Sequence, residues 1–104
     1  MKLWNVAFAI GCGLIVAGCG EESAVQKAVR ARLKDPDSAK FGKGTFVKGR
    51  TGDSYACFTV NSKNSMGGYT GDQQAALMKA EGEWHVASIE KVDHASCVKV
   101  ISDQ

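Results

Sequence analysis

Two histidines and two cysteines in the second half of the chain are the residues best suited to bind a metal ion. His94 and Cys97 have the H-x-x-C spacing, and Cys57 and His85 could complete a four-ligand zinc site. Neither Cys57 nor His85 stands at a recognised ligand spacing from that pair. The sequence therefore favours neither a metal site nor any other cofactor, and zinc is kept only as an alternative.

The short catalytic motifs of common enzyme classes do not occur in the chain. There is no G-x-S-x-G nucleophile elbow, no H-E-x-x-H pair and no pair of carboxylates with an evident cleft. His85 follows Trp84 in a predicted strand and is expected to face outward, and His94 next to Asp93 is expected in a loop. We therefore expect a protein that is not an enzyme.

The stretch 61–71, NSKNSMGGYTG, is the first candidate for a binding site. Its glycines and asparagines permit a positive φ, which favours a turn. It lacks the ending of a phosphate-binding P-loop, but it is longer than an ordinary hairpin connection, and long ordered loops often bind ligands. The alternative is a self-packed turn with its Met and Tyr folded back on a sheet. The candidate binding residues are Asn64, Met66, Gly67, Gly68, Tyr69 and Gly71.

A second candidate is a basic patch. The net charge of +2 indicates no nucleic-acid partner, but between Lys27 and Arg50 the basic residues clearly outnumber Asp35 and Asp37. Such a segment either meets an anionic membrane or polymer, or simply solvates one face of a helix and an edge strand. The patch comprises Lys27, Arg30, Arg32 and Lys34.

The amino terminus has the layout of a secretory signal. Lys2 precedes an uncharged apolar run from Leu3 to Gly18, which is shorter than the ~20 residues that span a bilayer. The run ends in VAGC at 16–19, which resembles the lipobox of bacterial lipoproteins; the earlier Cys12 follows too short an apolar stretch. The resemblance implies cleavage before Cys19 and acylation of that cysteine. A simple signal peptide or a short anchor helix is the alternative.

The lipobox resemblance also implies a location. Lipoproteins of this family carry three acyl chains, and each buried methylene contributes ~0.8 kcal/mol, so the attachment is expected to be permanent. Gly20 stands where an Asp would favour retention in the inner membrane. The expected partner is therefore the membrane through Cys19, and the expected location is the outer membrane, facing the periplasm.

If the leader is removed and Cys19 is acylated, two of the four cysteines remain. Because the periplasm is oxidising, Cys57 and Cys97 are then expected to form one disulfide. A small domain gains much of its stability from such a cross-link.

The elements that must position these residues follow from periodicity. An S-x-x-Q capping box at 23–26 opens a helix that must end before Pro36, where Asp35 starts one more short turn. Four strands follow, at TFVKG, SYACFTVN, QQAALMKA and WHVASIEK, and the tail HASCVKVI is expected to return to the sheet. This order predicts an α+β fold, with an N-terminal helix packed on an antiparallel sheet of about four strands. The predicted organisation is a signal peptide at 1–18, a short tether at 19–22 and a single domain at 23–104.

A second resemblance covers most of the domain. LKDPDSAKF at 33–41 and VNSKNSMGGYTG at 60–71 are similar to a small domain that recurs in bacterial and prophage-associated proteins. It implies no catalytic residue. We therefore expect a non-enzymatic binding module whose partner is an envelope protein or the cell wall. The alternatives are a prophage-derived superinfection-exclusion or enzyme-inhibitor lipoprotein, and a structural tether to anionic lipid or cell-wall polymer. The oligomeric state stays open.

Overall fold

A computed structural model describes residues 20–104 of the chain. Its four strands form one antiparallel sheet in the order β1-β2-β3-β4, so β1 and β4 are the edges. The α+β class, the four-stranded antiparallel sheet and the Cys57–Cys97 disulfide are confirmed. The elements in chain order are α1 (20–30), a 3₁₀ turn (Pro36–Ser38), β1 (Lys40–Lys48), β2 (Ser54–Asn61), β3 (Gln73–Ala80), β4 (Glu83–Glu90) and α2 (His94–Ser102).

One face of the sheet is covered by α1. Val25 and Val29, one helical turn apart, are fully buried in the same apolar cluster as Phe58 and Leu77. The predicted capping box at Ser23 is wrong, because residues 20–22 are already helical and Ser23 lies inside the helix. The described part of the predicted tether, residues 20–22, therefore belongs to α1.

The opposite face is covered by α2, which contacts β1, β2 and β3. The tail returns to the sheet as a helix packed on its face, so the prediction of a single, N-terminal helix is wrong. Cys97 and Ile101 are four residues apart and both are buried, which is the spacing of one helical face. The disulfide joins this face to β2, with the Cα atoms of Cys57 and Cys97 6.2 Å apart.

The central strand β2 is buried on both sides. Phe58 and Val60 point to the α1 face, whereas Cys57 points to the α2 face. Alternate residues of β2 therefore pack under different helices. β3 and β4 are joined by a hairpin in which Glu81 and Gly82 both have positive φ, as a two-residue type I′ turn requires.

The molecule has two ends along the direction of the strands, which we call proximal and distal. The proximal end contains the start of α1, the turns at 49–53 and 81–82, and Gln104, whose carbonyl accepts a hydrogen bond from Arg50. The distal end contains the 3₁₀ turn and the connections 62–72 and 91–93. A strand of eight residues such as β2 separates the ends by about 26 Å.

No helix within residues 20–104 is both long enough and apolar enough to cross a membrane.

Candidate functional site: the distal loop and a basic groove

The loop between β2 and β3 is closed by one side chain. Oδ1 of Asn64 accepts hydrogen bonds from the backbone N–H groups of Met66 (2.9 Å) and Gly68 (3.2 Å). The backbone N–H of Asn64 donates to the Gly68 carbonyl at 2.8 Å, and that of Gly67 donates to the Asn64 carbonyl at 3.1 Å. Asparagine suits this position because its short amide can cap backbone groups a few residues ahead. The apex of the loop therefore has a defined conformation.

The base of the loop is fixed to the rest of the domain. Lys63 and Tyr69 form an antiparallel bridge, and the Thr70 N–H donates to the Ser62 carbonyl at 3.0 Å. The Lys63 N–H donates to Oγ of Ser38 in the 3₁₀ turn at 2.8 Å. These contacts make the distal loop a short extension of the β2–β3 hairpin that rests on the 3₁₀ turn.

Two of the three predicted turn glycines in this loop need their special conformation. Gly67 has φ of 88° and Gly71 has φ of 91°, values that residues with a side chain rarely adopt. Gly68 does not adopt the positive φ that its residue type permits. The left-handed conformation at Gly67 lies within the segment that the hydrogen bonds of Asn64 close.

The two large side chains of the loop have different environments. Met66 is 90% exposed at the apex and does not fold back on the sheet. Tyr69 is 42% exposed, and its ring centroid lies 4.7 Å from the ammonium of Lys40 and 5.7 Å from that of Lys63. Its hydroxyl donates to the Ser38 carbonyl at 3.3 Å. Tyr69 therefore contacts two lysine side chains, whereas Met66 is exposed to solvent.

The predicted basic patch is not one surface. The guanidinium of Arg30 lies 5.1 Å from the ring centroid of Phe41 on β1. Arg32 instead donates from Nη1 to the Val86 carbonyl of β4 at 3.1 Å. Because β1 and β4 are opposite edges of the sheet, these two cations face different sides of the molecule.

The other two cations of the patch are separated as well. Lys27 lines a groove beside Trp84 near the proximal end, whereas Lys34 lies near the distal loop.

Part of the patch and part of the loop meet in one place. A groove of about 230 Å³ lies between the segment after α1 and the distal loop. We call it the basic groove and define it by Arg32, Lys34, Lys63 and Asn64. No described carboxylate lines it, and the only ion pair within residues 20–104 joins Lys79 to Glu21, at the proximal end. Lys63 is not among the predicted basic residues. The one feature of the sequence that could have identified it as a site residue is its position inside the candidate loop.

Comparison with known proteins gives no relative. No family model, no curated protein and no solved structure matches this chain. The two resemblances drawn from sequence motifs therefore stay predictions.

His94 belongs to a polar network rather than to a loop, so its predicted placement is wrong. As the first residue of α2, it donates from Nδ1 to Oε1 of Gln74 (2.8 Å), and its Nε2 accepts from the hydroxyl of Thr45 (2.8 Å). Gln74 is 5% exposed and also donates to Oγ1 of Thr59. Burial lowers the pKa of His94, and the nearby positive charge of Lys43 lowers it further.

The potential metal ligands are dispersed. Cys57 and Cys97 are joined to each other, both ring nitrogens of His94 are occupied, and His85 is exposed on the edge strand β4. Residues 20–104 contain no group of three or more His, Cys, Asp or Glu side chains arranged to hold a metal ion.

The predicted lipidation residue, Cys19, lies outside the described residues. It immediately precedes Gly20, which is in the first turn of α1 that the structure describes.

Proposed function

We propose that this chain is a membrane-anchored periplasmic lipoprotein that acts as a non-enzymatic binding module and presents its distal end to a partner in the cell envelope. The observation that carries the proposal is the ordered distal loop, whose apex holds Met66 90% exposed. An apolar side chain kept in water costs solvation free energy that burial against a partner recovers. Methionine adapts well to such a surface because its side chain is unbranched and polarisable.

The position of the loop supports the same proposal. An acyl anchor at Cys19 would attach the membrane at the start of α1, at the proximal end. The distal loop lies at the opposite end of the strands, about 26 Å away. In this arrangement the loop faces the periplasm and the partner reaches it from there.

The tether to anionic lipid or cell-wall polymer receives less support. It requires the four cations of the predicted patch to act together, and Arg30 and Arg32 lie toward opposite edges of the sheet. Exposed cations that are spread around a domain bind a flat anionic surface less effectively than a cluster does.

An enzyme-inhibitor lipoprotein is a second candidate, favoured by one observation. The loop is both protruding and internally hydrogen-bonded, and a pre-ordered loop that enters a cleft loses little conformational entropy on binding. This candidate is a special case of the binding module, with an enzyme as the partner.

The proposal is tested by co-purification from the native envelope. Met66→Ser should abolish recovery of a partner that the unchanged lipoprotein retains. Val100→Ser is the matched control, because Val100 is 60% exposed on α2, away from the loop. Equal recovery with both variants would contradict the role of the loop.

The anchor has its own test. The mature protein should begin at Cys19 and carry acyl mass, and Cys19→Ser should release the chain from membranes. A mature chain that retains Met1, or a Cys19→Ser protein that still sediments with membranes, would contradict the lipoprotein assignment.

A further inference from the structure

The basic groove has the size of a chemical group rather than of a drug-sized ligand. Its volume is about 230 Å³, whereas pockets for drug-sized ligands measure about 300–1,000 Å³. Leu33 and Ile89, which are partly buried, line it together with Arg32, Lys34 and Lys63. Charges beside apolar side chains act through a lower effective dielectric than charges in open water.

The donors of the groove are held in place by the fold. Arg32 is fixed by its bond to the Val86 carbonyl, and Lys63 by its backbone bond to Ser38 and by the ring of Tyr69. Oδ1 of Asn64 accepts hydrogen bonds from the N–H groups of Met66 and Gly68, which fixes the plane of its amide. Side chains that line the groove are therefore partly ordered before a ligand binds.

The charge of the groove is unbalanced. Arg32, Lys34 and Lys63 contribute three positive charges, and none of them has a carboxylate oxygen within 4.0 Å among residues 20–104. Like charges that line one concavity repel one another, and an anion relieves this repulsion. A single carboxylate would neutralise one of the three charges, whereas inorganic phosphate or a phosphate monoester carries up to two negative charges and more acceptor oxygens. The phosphodiester of a lipid headgroup carries one negative charge.

We propose that the basic groove binds a phosphate group. The inference rests on the proposed function, since the groove borders the distal loop. It specifies a phosphate group as part of the partner that the loop would bind. The phosphate can come from a soluble phosphate compound or from a phospholipid headgroup of a facing membrane. The loop itself does not wrap the phosphate as a P-loop would; the cations and the Asn64 amide do the binding.

The test uses the full processed lipoprotein in phosphatidylcholine nanodiscs, observed by NMR while inorganic phosphate is added at constant ionic strength. Signals of Lys63 and Asn64 should shift saturably. Lys34→Gln and Lys63→Gln should each weaken binding about tenfold, because each removes one charge-assisted contact. Lys99→Gln is the matched control, since Lys99 is an exposed lysine of α2 on the other face, and it should leave the affinity unchanged.

A second titration separates the two sources. Phosphatidylglycerol vesicles are added to the same nanodiscs, and shifts of the groove signals that exceed those with phosphatidylcholine vesicles support a headgroup. Response to inorganic phosphate without response to vesicles supports a soluble compound. An equal response to acetate and phosphate, or a response that Lys34→Gln and Lys63→Gln leave unchanged, would overturn the inference.

The outcome is distinguishable from failure of the proposed function. If phosphate does not bind while Met66→Ser still abolishes partner recovery, the phosphate inference fails and the binding module stands. If phosphate binds while Met66→Ser has no effect on recovery, the role of the loop fails instead.

Discussion

The connections between antiparallel strands differ at the two ends of this molecule. At the proximal end, β3 and β4 are joined by Glu81 and Gly82 alone, which is the shortest common hairpin connection. At the distal end, β2 and β3 are joined by residues 62–72, although strand pairing demands no more than two. The additional chain is ordered, and we propose that the distal connection has a role besides closing the sheet.

The side chains at the two ends differ in the same sense. At the proximal end, Trp84 is 8% exposed and donates from Nε1 to the Glu21 carboxylate, which also pairs with Lys79 at 2.8 Å. At the distal end, Tyr69 is 42% exposed and its ring lies within about 6 Å of the ammonium groups of Lys40 and Lys63, at 4.7 and 5.7 Å. Trp84, Glu21 and Lys79 thus satisfy one another at the proximal end, whereas Tyr69 lies half-exposed beside cations that have no carboxylate partner within 4.0 Å. Together with the exposed Met66 at the apex, this contrast leads us to propose that the distal end is the one that binds.

The largest expected effect is that of removing the Cys57–Cys97 disulfide, which joins α2 to β2. The helix α2 itself runs between the two ends of the molecule. The double variant Cys57→Ala, Cys97→Ala should lower the free energy of unfolding by ~4 kcal/mol, because the sequence separation of 40 residues makes the closed loop long. Denaturant unfolding of the periplasmic protein measures it. An unchanged unfolding midpoint would show that α2 packs as firmly without the covalent link.

The aromatic residues of the two ends provide the next comparison. Trp84→Ala should destabilise the protein by about 3 kcal/mol, because it leaves a cavity in the cluster beneath α1. Tyr69→Ala should cost less, about 1 kcal/mol, because the half-exposed ring lies outside the core cluster and loses mainly cation–π contacts and its hydrogen bond to Ser38. Thermal unfolding of both variants measures the two losses of stability. Equal losses in Trp84→Ala and Tyr69→Ala would contradict the contrast between the ends.

Glycines permit a finer comparison, because an added Cβ at Gly67, Gly68 or Gly82 would meet no neighbouring atom within 4 Å. Gly82→Ala and Gly67→Ala should each cost about 1 kcal/mol through their positive φ alone. That cost corresponds to a decrease in Tm of about 4–8 °C for a domain of this size. Gly68→Ala is the matched control and should cause no loss. If Gly67→Ala is also neutral, the distal loop is flexible rather than ordered.

The smallest expected effect is a difference in pH dependence. Burial lowers the pKa of His94 below its ordinary 6.5, so the unfolded chain takes up a proton first. The contribution of neutral His94 to the stability is therefore complete above the ordinary pKa of 6.5. It is lost as the pH falls through that value toward the lower pKa of the folded protein. A hydrogen bond from the Lys79 side chain, with a further one from Trp84, lowers the pKa of Glu21, whose contribution persists until the pH falls below its ordinary 4.5.

The two windows can be separated by melting experiments across this pH range. His94→Gln should flatten the decline in Tm that begins near the ordinary histidine pKa, and Glu21→Gln should flatten only the decline at more acidic pH. If His94→Gln leaves the upper window unchanged, the network around Gln74 does not control it.

The sequence predicted the sheet well because its signals are local. Alternation in β2 marks two faces, and Glu81-Gly82 has the residue types of a tight turn. It did not predict α2, since Val98, Val100 and Ile101 are β-branched and resemble a strand. The helix forms because Cys97 and Ile101 bury one face at helical spacing, with the disulfide holding it on β2.

The basic groove could not be predicted from local patterns. Lys63 approaches Arg32 and Lys34 only because the chain reverses direction several times between them. The sequence likewise contains no sign that Arg30 and Arg32 diverge, because that depends on where α1 ends. Composition identified the candidate residues, and tertiary structure determined which of them meet.

Site-specific cross-linking in the intact envelope tests the central claim most directly. A photo-reactive residue is placed at Met66, at the distal apex, or at Thr51, in the exposed proximal turn between β1 and β2. We predict a discrete cross-linked product from position 66 and none of the same size from position 51. The same product from both positions, or a product from position 51 alone, would contradict the assignment of binding to the distal end.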